Sequence, residues 1–311
     1  MDRARTFMKI VLFGRGGQVG RELDLLLPPL GRLIACGRDE ADLERPDTVR
    51  DLIRREAPDI VINAAAFTAV DRAESESERA RQINADTVGV MAEETGRLGG
   101  WLVHYSTDYV FDGTKSGSYL ETDPTGPLSI YGSTKLAGEQ LIAASGCRHL
   151  IFRTSWVYAT HGSNFVRTML RLLQERDALS VVDDQVGAPT AASRIAAVTA
   201  TAVGRLAGGE EPLPPSGIYH LAATGATSWH GLTEFIATTA RAGGLPVRVA
   251  PESIRPIPSS AWPQAARRPA NSRLDTGRLC RTFGVQLPPW QDDVGQVVTT
   301  LIPHARETPR S

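Results

Sequence analysis

The apolar positions of this chain fall first into short, nearly unbroken runs separated by stretches of helical period. Lys9 to Phe13 (KIVLF), Arg32 to Cys36 (RLIAC), Asp59 to Asn63 (DIVIN) and Trp101 to Tyr105 (WLVHY) are such runs, the pattern of parallel strands buried on both faces. Between them, Val19, Leu23 and Leu26 share one side of a helix, Asp47 to Glu56 fits a short helix, and Ser77 to Leu98 fits a long one carrying Ile83, Val90 and Met91. Asn84 falls inside that helix, either satisfying a backbone group near a site or standing as an ordinary polar position. Strand and helix in alternation predict an α/β fold, a Rossmann-like, doubly wound parallel sheet with right-handed crossovers.

The second half is less regular. Ile151 to Phe152, Leu179 to Val182 and Gly217 to Leu221 (GIYHL) predict a fifth, a sixth and a further strand. Helices are expected over Asn164 to Glu175, Ser193 to Ala207, Ser228 to Ala242 (capped by Ser228) and Leu287 to Leu301. Gly208 to Ser216 reads as a loop and Pro251 to Pro269 as proline-rich and irregular. We therefore expect a dinucleotide-binding domain over 1–156 and a smaller, mainly substrate-binding C-terminal lobe over 157–311, with some late segments returning to the main sheet.

Composition narrows the classes. The chain has 311 residues and a net charge of −1, with no dense cluster of cations; nucleic acid and anionic membranes are not expected partners. Its three cysteines, Cys36, Cys147 and Cys280, are odd in number and widely spaced, which fits neither a disulfide framework nor a zinc site and suits a reducing cytosol. The start, MDRARTFMKI, lacks the apolar core of a signal peptide. The most apolar stretch, Ile60 to Val70, is far short of the roughly 20 residues of a membrane span. A soluble cytoplasmic protein is the expectation.

Candidate chemistry gathers at strand ends. Gly14, Gly17 and Gly20 directly follow the first strand and open a helix; glycines there let a pyrophosphate approach the free N–H groups of a helix N-terminus. Ala64-Ala65-Ala66, after the third strand, either leaves room for a flat ligand or serves tight helix–sheet packing. The tip of the second strand is Gly37-Arg38 where an NAD site often has an acid. Arg38 meets a 2′-phosphate, favouring NADPH, or is a solvated surface arginine; Asp39, Glu40 and Asp42 nearby would favour NADH. Beyond the fourth strand come Ser106-Thr107-Asp108 and, on the next helix, Tyr131 and Lys135, an i,i+4 pair on one face. With six tyrosines and only three lysines in the chain, chance supplies roughly 0.06 Tyr-x-x-x-Lys pairs. Carbonyl reduction needs a hydride donor and a proton for the developing alkoxide. A nearby ammonium lowers a phenol's pKa, so Lys135 would acidify Tyr131 while gripping a nicotinamide ribose, and Thr107 would hold the substrate oxygen.

The segments GRGGQVGREL, NAAAFTAVDRAES, HYSTDYVFDG, YGSTKLAGE, FRTSWVYA, DDQVGAPT and ARRPANSRLD together resemble the dTDP-4-dehydrorhamnose reductase family, within the extended short-chain dehydrogenase/reductase class, from Met8 to about Gln291. The resemblance implies Tyr131 as proton donor, Lys135 as its partner and Thr107 as third catalytic member. It implies cofactor contacts from Gly16, Gly17, Gln18, Val19, Asp42, Leu43, Ala65, Ala66, Thr68 and Tyr105, besides Gly14 and Arg38 read above, and besides Tyr131 and Lys135. Substrate contacts are implied from Thr107, Asp108 and Trp156, and Val70 is expected to touch the sugar. Because such a substrate carries a diphosphate, Asn164, Arg267 and Arg268 are added here as candidates, although either arginine could instead tie the lobe to the sheet by a salt bridge.

The implied reaction is reduction of the C4 ketone of dTDP-4-dehydro-β-L-rhamnose by NADPH or NADH in a monomer or homodimer. Another nucleotide-linked 4-keto-6-deoxy sugar as substrate is the near alternative, and a non-catalytic subunit like the regulatory subunit of methionine adenosyltransferase the distant one. Some family members bind magnesium through glutamates at a dimer contact. Here TAASRIAAV and WQDDVGQVVTTLI contain no glutamate, so no metal is expected.

Overall fold

The chain runs β1 (Lys9–Phe13), α1 (Gln18–Leu26), β2 (Arg32–Cys36), α2 (Pro46–Glu56), β3 (Ile60–Asn63), α3 (Val70–Ala73), α4 (Ser77–Arg81), α5 (Thr87–Arg97), β4 (Trp101–Thr107), α6 (Ile130–Ala144) and β5 (Arg148–Thr154). It continues through β6 (Val157–Tyr158), α7 (Phe165–Glu175), β7 (Leu179–Val182), β8 (Val186–Gly187), β9 (Thr190–Ala191) and α8 (Ala192–Gly208). The last elements are β10 (Gly217–His220), β11 (Thr227–Ser228), α9 (Trp229–Ala242), β12 (Ile254–Ile257), α10 (Gly277–Phe283) and α11 (Trp290–Glu307). This computed structural model describes residues 8–208 and 212–307. Residues 1–7, where the N-terminal reading begins, and 209–211, inside the expected loop, lie outside the described residues.

Six strands form one parallel sheet in the order β10-β5-β4-β3-β1-β2. Alternate residues of β1 explain why its run is unbroken. Ile10 and Leu12 face a core shared with Leu23 of α1 and Ile195 of α8. Val11 and Phe13 face the opposite core, with Leu52 of α2, Met91 of α5 and Ile142 of α6. A strand covered on both sides has no polar face to show. A third core, built by α7, α9 and α11, holds the lobe together.

Three expectations are corrected. Leu179–Val182 is a strand, but it pairs with β12 in a separate two-stranded sheet. β12 in turn lies inside the stretch read as irregular. Pro256 sits opposite Val181 there, and a two-stranded edge tolerates a residue with no N–H to give. The closing helix begins at Trp290 and not at Leu287, because Pro288 and Pro289 hold the preceding residues extended.

The long helix over 77–98 is interrupted by a π turn at Gln82–Asp86, and the interruption has a use. Asn84, fully buried there, accepts from Phe67 N at 2.9 Å and donates to Phe67 O at 3.1 Å and Thr134 Oγ1 at 3.2 Å. It pins the loop after β3 to α6, the helix that bears Tyr131. Among the described residues no helix is long and apolar enough to cross a membrane.

Candidate active site

In an open parallel sheet the crevice opens where neighbouring strands send their connections in opposite directions, here between the carboxyl ends of β1 and β3. The two connections nearly touch. Gly14 has φ +85°, and a Cβ on it would lie 2.6 Å from the Ala65 nitrogen; one on Gly20 would lie 2.0 Å from the Gly14 oxygen. Only glycine allows this approach of turn, helix and neighbouring loop. Around Gly16 a Cβ would meet nothing within 4 Å. Gly17 caps α1 with no side-chain hydrogen bond, and the first turn has no acidic residue. The helix therefore presents free N–H groups to open space.

That space is a cleft of about 610 Å³. Gly14, Gly16, Gly17, Gln18 and Val19 line one part of its wall; Arg38, Asp42 and Leu43 a second; Ala65, Ala66 and Thr68 a third; and Tyr105, Tyr131 and Lys135 a fourth. All fourteen residues considered for a dinucleotide are thus brought to one cavity. Ser106, expected at this edge, also lines it, as do Asn63, Thr154, Val157, Gly162 and Ser163, which were not among the candidates. Asn63 was legible as the polar end of a strand; Gly162 and Ser163 arrive from the loop before α7 with no local signal. At the tip of β2, the Glu40 carboxylate turns back on the turn itself and does not line the cleft. It accepts from Gly37 N at 2.8 Å and from Arg15 Nη2 at 2.9 Å, while Arg38 is exposed beside it.

Ser129 caps α6, its Oγ accepting from Gly132 N at 3.2 Å, and this start places Tyr131 and Lys135 one turn apart on the cleft face. Tyr131 is half-buried, edge-on to Tyr109 with ring centroids 5.5 Å apart. The expected acidification of Tyr131 is corrected. Loss of water around the phenol pushes it up to about 12, against a hydrogen bond with Thr107 that pulls it down, and the Asp108 charge raises it further. Lys135 is turned elsewhere: Nζ donates to Tyr105 O at 2.6 Å and lies 3.1 Å from His104 Nε2. Burial brings Lys135 down to about 8, opposed by the Glu139 charge.

Thr107 ends β4. Its hydroxyl accepts from Tyr109 N at 3.2 Å and donates to Asp108 Oδ1 at 3.1 Å. Asp108 is buried, and its Oδ2 has no partner among the described residues. Burial pushes the carboxyl up to about 6, against hydrogen bonds from Ser272 and Thr107. Because the folded chain holds this proton more tightly than the unfolded one, ionisation above about pH 6 works against folding, and the penalty fades as pH falls below the ordinary carboxyl range. Asp108→Asn is therefore expected to stabilise the fold at pH 8 by on the order of 1–3 kcal/mol and by almost nothing at pH 4, measured as the denaturation midpoint at the two pH values.

The remaining substrate candidates divide. Trp156 has φ +49° and stacks on Trp229 at 3.5 Å, its ring closely approached by the Gly187 backbone. Val70 is half-buried at the start of α3, outside the cleft wall. Two additions are corrected. Asn164 caps α7, with Oδ1 accepting from Arg167 N and Nδ2 donating to Gln18 Oε1, Ala159 O and His161 O; its polar atoms are committed to the protein. Arg268 pairs with Asp71 at 2.7 Å, and Asp71 also accepts from Ala266 N at 3.0 Å, so it ties the late loop to α3. This contact keeps the Asp71 carboxyl below its ordinary range. Arg267 is exposed.

The family described as RmlD substrate binding domain matches residues 8–302. A dTDP-4-dehydrorhamnose reductase of Burkholderia thailandensis is 50% identical over 301 residues, 95% of this chain and 99% of that protein. The crystal structure of a dTDP-4-dehydrorhamnose reductase from Clostridium acetobutylicum superposes with a TM-score of 0.85 at 32% identity, covering 94% of this chain and 99% of that one. A Bacillus anthracis dTDP-4-dehydrorhamnose reductase, solved in complex with NADP, gives 0.83 at 32% identity, covering 94% and 98%.

Proposed function

We propose, from the premise that this chain belongs to the RmlD substrate binding domain family, that it reduces the C4 ketone of dTDP-4-dehydro-β-L-rhamnose to dTDP-β-L-rhamnose with NADPH or NADH. The observation that carries the reading is the cleft itself, where an uncapped helix N-terminus and a Tyr-x-x-x-Lys helix face share one wall. The glycine cradle fits a dinucleotide: a Cβ on Gly16 would meet nothing within 4 Å, and no side chain caps the α1 N–H groups. Arg38 lines the cleft at the tip of β2, where an arginine favours a 2′-phosphate, while Gly37 N and Arg15 hold both carboxylate oxygens of Glu40.

The bound nicotinamide supplies the hydride that adds to C4. Tyr131 Oη hands its proton to O4, so ketone becomes alcohol and the phenolate is left for solvent to reprotonate. Its high pKa in the free protein keeps the proton in place at neutral pH. Thr107 orients the substrate oxygen, Lys135 holds the ribose, and Asp108, with one oxygen unpartnered, accepts from a sugar hydroxyl. Trp156, Val70 and Arg267 are assigned to the sugar nucleotide, with 157–311 as the lobe that mainly holds it. All three cysteines are free, which supports a cytoplasmic site.

Incubation with dTDP-4-dehydro-β-L-rhamnose is expected to oxidise NADPH stoichiometrically and to give the rhamno configuration at C4 by product NMR. The talo epimer would replace the substrate assignment, and no oxidation with either cofactor would remove the enzymatic reading.

A further inference from the structure

Three buried polar side chains, two of them in the cleft wall, form a chain whose hydrogens their partners determine. Asn63 ends β3 and is 1% exposed; His104, its register partner on β4, is 0% exposed; Lys135 reaches them from α6 and is 2% exposed. The Ala65 backbone N–H donates to Asn63 Oδ1 at 3.1 Å. A backbone N–H only donates, so the oxygen of Asn63 must face Ala65 and its NH2 must face His104. That NH2 lies 3.1 Å from His104 Nδ1, which makes Nδ1 the acceptor. A neutral imidazole with a bare Nδ1 carries its hydrogen on Nε2, and Nε2 is 3.1 Å from Lys135 Nζ. An ammonium has three donors and no acceptor. A charged Lys135 would therefore set N–H against N–H at a side chain only 2% exposed. An amine satisfies both neighbours, accepting from His104 and donating to Tyr105 O.

We propose that Asn63 and His104 are positioning residues that favour the unprotonated amine of Lys135 in the cofactor-free protein near pH 8, so that the lysine takes up a proton when NADPH binds. Ribose hydroxyl oxygens accept from an ammonium, and their arrival supplies what the His104 N–H denies. The surrounding groups agree. Burial lowers Lys135 to about 8. His104 is kept neutral by burial. Glu139, on the same helix, would favour the ammonium, but its carboxylate is held by Arg153 of β5 at 2.9 and 2.6 Å. Tyr131 remains a neutral phenol, and Asp108 touches Thr107 and Ser272, not the lysine.

The statement about the free protein is independent of the proposed reaction; the proton uptake rests on it. Long-range 1H–15N correlation spectra of the free wild-type protein near pH 8 are expected to show His104 as the Nε2–H tautomer. The Nδ1–H tautomer or an imidazolium would overturn the proposal. Calorimetry of NADPH binding in two buffers of different ionisation enthalpy is expected to show uptake of about half a proton per site at pH 8. Saturable binding with no uptake would also overturn it, whereas no binding at all would sink the proposed function and leave the tautomer to decide. Asn63→Asp offers two acceptor oxygens, so Nδ1 must carry the hydrogen and the bare Nε2 then accepts from an ammonium. In that variant the tautomer is expected to invert and the uptake to fall to near zero; unchanged uptake in a folded Asn63→Asp protein counts against the relay. Should the variant not fold, the wild-type spectrum settles the question.

Discussion

Replacing Tyr131 by phenylalanine is expected to lower kcat about 1000-fold while leaving the Kd for NADPH within a few-fold. The magnitude follows from the role: a positioned general acid contributes typically about 100- to 10,000-fold. The selectivity follows from the geometry. The ring of Tyr131 packs against Tyr109, and phenylalanine keeps that contact. Dinucleotide recognition is assigned to the glycine turn, the tip of β2 and Lys135, none of which depends on the hydroxyl. Steady-state turnover, with NADPH binding followed by fluorescence, separates the two quantities. Turnover within about tenfold of wild type would remove Tyr131 as the donor.

Glu139→Ala is expected to cost about 3–5 kcal/mol of stability, the largest structural effect anticipated for one side chain. Glu139 and Arg153 form a two-pronged ion pair at 2.9 and 2.6 Å with both side chains only 3% exposed. Arg153 also lies over the Phe111 ring at 5.0 Å. Removing the carboxylate leaves a buried guanidinium that cannot shed its proton. Because Tyr131, Lys135 and Glu139 follow at intervals of four on α6, the same pair anchors the helix that carries the reacting groups to β5. Urea denaturation gives the measurement; Glu139→Gln, which keeps hydrogen-bonding capacity, is expected to lose less. A loss under about 1 kcal/mol in the alanine variant would mean that the pair is a passenger of the packing.

Both predictions show which parts of the molecule are local and which are not. KIVLF, RLIAC, DIVIN and WLVHY announce buried parallel strands because a strand covered on both faces has no polar side. The β12 strand is hidden in the sequence because Pro256 within it, and Pro251 and Pro258 around it, imitate a loop; only the partner across from it shows otherwise. Asn84 stood between two readings until the loop after β3 was seen to bond to it. Arg268 was open between phosphate and salt bridge, and Asp71, 197 positions away in the chain, takes it.

By itself the sequence determined the short-range facts: the strand–glycine–helix turn at Gly14 to Gly20, the Tyr131–Lys135 pair one helical turn apart, and the motifs that declare the family. Each depends on neighbours within a few residues, where backbone geometry leaves little choice. Only the tertiary structure decided which polar groups meet in the buried site. Lys135 was expected to acidify Tyr131, yet strand register sets Asn63 beside His104 and His104 beside the lysine, and burial lifts the phenol. Proton positions follow from desolvation and from partners brought together across the sheet, and neither is written in the spacing of residues along the chain.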